Sequence, residues 1–288
     1  MGDLTSKNPQ GVSWLTERKE FEIGGLARLR LLQLKSPLVA HHYDRIVIAD
    51  VFSGSGENVL SENDDPIDGS PLRLLWALGA AIKTKAGPNP MALASKRIDF
   101  LFSDIRPDAI AHLDGLIADR WEAPCQANIA TATLDASSAI RLLADDLAES
   151  RRTHLILVLD PNGPKAFPRD EALDLLARFS GRVDLFPYIS ATAINRCLRH
   201  RDTSGATYDW WLSAIERLDT GFVQAIARGR QGWIREPIMG DPQQWLMLPT
   251  FPAQFAPRDD WNKRGYVTIN SPRGQAALRT YSNLREAS

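Results

Sequence analysis

The stretch "RIVIADVFSGSGEN", residues 45–58, carries a short apolar run into an acid and then turns on glycines. The run from Arg45 to Asp50 is too short for a helix. It is rich in Ile and Val, as strands buried on both faces tend to be. Asp50, Phe52, Gly54 and Gly56 then follow at every second position. Two readings fit them. Either this is an ordinary tight turn, or its backbone is cleared so that a ligand can lie against it without meeting a Cβ.

Similar short runs recur at "IDFLFSD" (98–104), "CQANIA" (125–130), "HLILVLD" (154–160) and "RVDLFPYI" (182–189). Helical patterns lie between them. "GSPLRLLWALGAAI" offers Ser70 as N-cap and Pro71 at the first helical position, with Leu72, Leu75, Trp76 and Gly79 on one face. "RPDAIAHLDGLI" spaces Ile110, Leu113 and Ile117 as a helix would, after Pro107. "LDASSAIRLLADDL" has Asp135 as its cap and a stripe of Ile140, Leu143, Ala144 and Leu147. "FPRDEALDLLARF" places Leu173, Leu176 and Ala177 inward. Strands alternating with helices predict a three-layer α/β fold, a mostly parallel sheet with helices on both faces.

The remainder is less regular. Residues 1–20 are polar and patternless and read as a flexible arm, with a helix over about 21–38. Residues 21–288 then form one domain, with a core over 40–190 and an elaborated C-terminal third over 191–288. That third holds helical candidates at 191–200 and 208–218, then strand candidates "GWIREPI", "QWLMLPTF" and "GYVTIN". The last is expected as an antiparallel C-terminal strand, leading into a helix-like "SPRGQAALRTYSNL".

Composition narrows the function classes. The chain of 288 residues is 44% hydrophobic and 24% charged, as soluble globular proteins are. No apolar run approaches the roughly 20 residues a membrane helix needs, and the first twenty residues lack a signal-peptide core. Cys125 and Cys197 stand far apart, which supports neither a disulfide framework nor a zinc cluster and predicts a reducing, cytoplasmic setting. His41 and His42 lack spaced partner ligands, so no metal site is expected.

The net charge of −1 gives no overall basic field to draw the chain onto nucleic acid. Residues 191–288, however, hold 13 Lys/Arg against 9 Asp/Glu, while residues 1–190 hold 21 against 26. Either this is surface scatter, or the last third is a nucleic-acid face with Arg228, Arg230, Lys263 and Arg264 on phosphates. Trp210, Trp211, Trp233, Trp245 and Trp261 lie in the same third, with Arg235 nearby. They are a stacking surface for single strands or the packing of a satellite core.

In an open parallel sheet, ligands bind outside the carboxyl ends of the strands, where Asp50 to Gly56 falls. The second strand ends in Asp104, where a cofactor ribose wants a carboxylate to accept two hydroxyl hydrogen bonds, although Asp104 could equally cap the next helix. This is not the dinucleotide fingerprint, whose glycine loop opens a helix at once to cradle a pyrophosphate. Glu57 and Asn58 follow instead, and then "LSENDDPID" with four carboxylates. Such surroundings repel a pyrophosphate and tolerate the cationic S-adenosylmethionine (AdoMet). The turn at Leu134 and Asp135 is expected near the adenine.

"LILVLDPNGP" ends the fourth strand on Asp160, Pro161 and Asn162. This resembles motif IV of class I methyltransferases that act on amino groups. There the acid and a backbone carbonyl take the amino hydrogens and leave the lone pair facing the methyl. A plain β-turn accounts for the same "DPNG". Together, "IADVFSGSGEN", Gly69-Ser70-Pro71-Leu72 and Asp160-Pro161-Asn162-Gly163 resemble the three-Cys-motif partner proteins, methyltransferase-like proteins of bacteria. The resemblance covers roughly residues 20–190. It implies a Rossmann-like class I methyltransferase fold that binds AdoMet. It leaves two functions open: methyl transfer to an amino group of a nucleic acid, or a non-catalytic partner subunit beside a Cys-rich protein. Asn162 and Gly163 replace the proline-aromatic pair of base methyltransferases, so a stacking surface for a flipped base is missing there.

Overall fold

A computed structural model describes residues 14–35, 37–59, 65–84, 96–121, 127–161, 166–179, 181–190, 230–237, 245–247, 250–252 and 259–283. The chain divides into two compact units, Met1–Ile156 and Leu157–Ser288. The boundary falls inside a strand.

In the first unit the strands are β1 (Arg45–Asp50), the hairpin β2 (Glu57–Val59) and β3 (Pro66–Asp68), β4 (Arg97–Asp104), β5 (Ala127–Thr133) and the start of β6 (Thr153–Leu159). The helices are α1 (Trp14–Leu34), the single turn α2 (Pro37–Ala40), α3 (Ser70–Lys83), α4 (Pro107–Arg120) and α5 (Ala136–Glu149). β1 and β4 pair in parallel from Arg45 opposite Arg97 to Asp50 opposite Phe102. β4 and β5 continue in parallel to Asp104 opposite Thr133. The amide of Asp44 donates to the carbonyl of Arg152 (2.9 Å), so β6 starts beside the start of β1.

The second unit holds the end of β6, α6 (Arg169–Arg178), β7 (Val183–Ser190), β8 (Arg230–Arg235), β9 (Trp245–Met247), β10 (Thr250–Pro252), α7 (Asp259–Lys263), β11 (Tyr266–Thr268) and α8 (Pro272–Asn283). β10 is antiparallel to β7 and β8, and β11 is antiparallel to β8. The hydrogen-bonded path is β5-β4-β1-β6-β7-β10-β8-β11, with β9 paired to β7. Its first part, counted by the parallel strands alone, has the order 3-2-1-4-5. That is the Rossmann-like arrangement, here with an antiparallel C-terminal extension. No helix among the described residues is long and apolar enough to cross a membrane.

The burial explains these elements and corrects several expectations. β6, "THLILVL", is buried at every position, as a parallel strand covered on both faces must be. β5 is described over Ala127–Thr133, with Cys125 outside the described residues, and its side chains are half-buried or exposed throughout. It ends the strand path, so its alternating Ala and Thr suit an edge and not a core. The helix expected over 21–38 begins at Trp14, so residues 14–20 are helical, and it ends at Leu34.

Ser70 is not an N-cap. Gly69 caps α3, Ser70 and Pro71 are its first two residues, and Trp76 faces out at 47% exposure. In α4 the buried position is Leu116 rather than Ile117, and in α6 Ala172, Leu175 and Leu176 are buried, with Leu173 only half-buried and Ala177 exposed. The stripe of α5 stands as expected, with Asp135 accepting from the Ser138 amide at 2.9 Å. The "QWLMLPTF" run is two short strands, and the helical candidates at 191–200 and 208–218 lie outside the described residues.

A polar network fastens the amino ends of the strands in the first unit. Asp99 of β4 accepts from Arg45, from Arg97 (3.1 Å) and from Asn128 of β5 (2.8 Å), and Arg45 also reaches Asp146 of α5 at 2.6 Å. Burial alone would raise the Asp99 carboxyl, but the donors from Asn128, Arg45 and Arg97 prevail and hold it below the usual carboxylate range. A depressed native value stabilises the fold above the unfolded value of about 3.9, and that stabilisation fades as pH falls through the native value. Asp99→Asn is therefore expected to cost about 2 kcal/mol at neutral pH and to flatten the acid limb of the stability curve. Urea melts at several pH values measure both. An unchanged acid limb would refute this role.

Candidate functional site

The carboxyl ends of β1, β4 and β5 are tied to one another by backbone groups. The Ser53 amide donates to the Ser103 carbonyl (3.0 Å), and the Leu134 amide to the Asp104 carbonyl (3.1 Å). Within the first unit this gathers Asp50, Phe52, Gly54, Gly56, Asp104, Leu134 and Asp135 around one set of strand ends.

Their roles differ from one another. Asp50 is wholly buried. One of its oxygens accepts from the Phe52 amide (3.0 Å) and the other from the Ser70 hydroxyl (2.5 Å). It therefore holds the loop onto the start of α3 from beneath. This is what the Gly-Ser-Pro-Leu segment does locally: its serine is a tether for Asp50. The Gly69 amide also donates to the Gly56 carbonyl at 2.8 Å.

The two glycines of the loop have separate reasons to be glycine. Both lie at positive φ, +59° for Gly54 and +79° for Gly56. A Cβ on Gly56 would meet Leu113 Cδ1 of α4 at 2.5 Å, so that glycine serves packing. A Cβ on Gly54 would have nothing within 4 Å among the described residues. The tight packed turn describes Gly56, while the backbone at Gly54 has open space beside it among the described residues.

Asp104 is 7% exposed and is the hub of the site. Its Oδ2 accepts from the Gly54 amide at 3.1 Å, which fixes the open glycine over the end of β4. Its Oδ1 accepts from the Arg106 amide (2.9 Å) and from Arg106 Nε (3.2 Å). Ile105, between them, is 71% exposed. Sequence reasoning passed over Arg106 and Ile105. The available signal was an apolar residue and a base directly after a carboxylate at a strand end.

Leu134 is half-buried and Asp135 exposed. The Asp135 carboxyl is held below its usual range by the side chain and then the amide of Ser138, as an N-cap should be. Phe52 is half-buried. The acidic surroundings are partly neutralised: Arg120 of α4 contacts Glu57 at 2.9 Å and Asp68 at 3.9 Å. Glu62 and Asp64 lie outside the described residues.

In the second unit, Asp160 and Pro161 directly follow β6, with both half-buried, and Asn162 lies outside the described residues. Trp233 and Trp261 are 4% and 0% exposed, with ring centroids 5.6 Å apart, and Tyr266 stands edge-on to Trp261. They are core residues, so packing wins over stacking for these two. Arg235 is 2% exposed, whereas Lys263 and Arg264 lie on the surface. Trp210, Trp211, Arg228 and the side chains of Arg230 and Trp245 lie outside the described residues.

No family model and no curated protein matches the chain. Solved structures do match at low identity. An rRNA methylase from Streptococcus thermophilus is 13% identical over 78% of this chain and 93% of its own, with a TM-score of 0.38. The methyltransferase domain of bacterial CtHen1-C is 14% identical over 78% of this chain and 97% of its own, with a TM-score of 0.33. A putative class I S-adenosylmethionine-dependent methyltransferase from Listeria monocytogenes is 10% identical over 91% of this chain and 70% of its own, with a TM-score of 0.34.

Proposed function

We propose that this chain is an AdoMet-dependent methyltransferase acting on an amino group, with a nucleic acid as the substrate class. The observation that carries the reading is the open Gly54 backbone, held by Asp104 at the strand ends where the Rossmann-like order places a ligand. The residues present fit the cofactor. Asp104 offers a carboxylate to the ribose hydroxyls, Ile105 and Leu134 offer apolar surface to the adenine, and no Cβ obstructs approach over Gly54. AdoMet supplies an electrophilic methyl group on a positive sulfur. The protein's part is to bind it and to present an amino nitrogen to it. Asp160 would accept one amino hydrogen and the Pro161 carbonyl the other, which leaves the nitrogen lone pair free for the methyl; S-adenosylhomocysteine would leave, and the surplus nitrogen proton would pass to Asp160 or to water.

Titration with S-adenosylhomocysteine tests the cofactor half: a folded protein that gives no heat would overturn it. Tritiated AdoMet, offered with DNA, RNA and cell extract, tests the transfer. A second reading has its own support in the burial of Trp233, Trp261 and Arg235, which removes three candidates from a nucleic-acid face. In that reading the chain is a methyltransferase-like partner subunit of the three-Cys-motif kind, beside a Cys-rich protein. Cofactor binding without label transfer to any of the three substrates would favour it.

A further inference from the structure

The lone pairs of Asp104 are nearly all taken. An ionised carboxylate has about four acceptor positions, two on each oxygen. Oδ1 receives the Arg106 amide and Arg106 Nε, and Oδ2 receives the Gly54 amide. Among the described residues, one position remains. A ribose diol brings two donors. The Arg106 amide belongs to the turn after β4 and the Gly54 amide to the loop after β1, and neither can leave without unmaking its own loop. The Arg106 side chain can, because it is 42% exposed and, among the described residues, makes a single contact, at 3.2 Å to a carboxylate that is 9% exposed.

Resting on the cofactor reading above, we propose that the Arg106 guanidinium is an internal stand-in for one ribose hydroxyl, a competitor that the diol must displace. Arg106 thereby sets the affinity and the sugar selectivity of the site without touching the reacting atoms. It keeps the Asp104 charge paired when no ligand is present, since an unpaired buried carboxylate is costly. A ligand with one hydroxyl can bind beside it, whereas a ligand with two must first move it aside.

Isothermal titration of wild type, Arg106→Met and Arg106→Ala tests this, with S-adenosylhomocysteine and its 2′-deoxy analogue as probes. Thermal melts confirm that each variant is folded, and the methionine keeps the length of the stem without a donor. A pair whose guanidinium is half in solvent contributes about as much as a surface pair, about 0.2–1 kcal/mol, so both variants should bind S-adenosylhomocysteine roughly two- to fivefold more tightly than wild type. Their affinity for the 2′-deoxy analogue should be unchanged, because its single hydroxyl needs only the position already open. Unchanged or weaker binding of S-adenosylhomocysteine by both variants would overturn the proposal while leaving the cofactor reading intact. So would an equal gain for both probes. No heat from any of the three folded proteins would overturn the cofactor reading and the proposal with it.

Discussion

Gly56→Ala should destabilise the first unit by about 3 kcal/mol, while Gly54→Ala should cost about 1 kcal/mol and instead weaken the proposed cofactor binding at least about tenfold. Both glycines sit at positive φ, where an alanine costs roughly 1–2 kcal/mol. Gly56 carries a second cost, because its Cβ would lie 2.5 Å from Leu113 Cδ1 and force that buried side chain aside. The turn cannot shift to relieve it. The Gly56 carbonyl is held by the Gly69 amide at 2.8 Å, and the backbone of Gly56 lies 3.1 Å from where a Gly69 Cβ would stand. At roughly 2–4 °C per kcal/mol for a chain of this size, the melting temperature should fall by about 6–12 °C for Gly56→Ala. For Gly54→Ala it should fall by only about 2–4 °C, while affinity for S-adenosylhomocysteine drops at least about tenfold through steric exclusion at the ligand face. Differential scanning fluorimetry and titration calorimetry separate the two outcomes. Equal melting losses with binding retained in both would show that neither glycine faces a ligand.

That division of labour was only half legible in the sequence. A pattern of alternating strands and capped helices was enough to expect the parallel sheet, because the buried runs at β1, β4 and β6 are short, β-rich and bounded by turn residues. What the pattern could not carry was tertiary detail. Ser70 has the composition of an N-cap, yet one position of register puts Gly69 there and sends the serine hydroxyl to Asp50. The buried tryptophans of the second unit look, in sequence, like those of a stacking platform. Only the packing of Trp261 between Trp233 and Tyr266 distinguishes them. Arg106 was invisible for a related reason: a base after a strand-end acid is unremarkable until its guanidinium is found on the carboxylate. Residue type announces what a side chain can do, and contact decides whether it is already occupied.

Asp160→Ala should lower the rate of methyl transfer by about 10²–10³-fold, the usual loss when one group that stabilises the transition state is removed from a preorganised site. The argument follows from the proposed chemistry. An amino group attached to an aromatic ring delocalises its lone pair, and accepting its hydrogens returns that pair to nitrogen, where it can attack. A carboxylate does this better than a neutral amide by roughly 1–1.5 kcal/mol, so Asp160→Asn should retain about a tenth of the wild-type rate. Asp160 directly follows β6 in the second unit, whereas Gly54 and Asp104 belong to the first. Since the role proposed for Asp160 is toward the amino group and not the cofactor, its substitution should leave the heat and affinity of S-adenosylhomocysteine binding unchanged. A purely structural Asp160 behaves otherwise: melting temperature, cofactor affinity and rate would fall together, and asparagine would rescue none of them in particular. Single-turnover label transfer, measured beside cofactor titrations on all three proteins, distinguishes the cases. Full activity in Asp160→Ala would mean that the amino hydrogens are taken elsewhere, and the Pro161 carbonyl would be the next acceptor to examine.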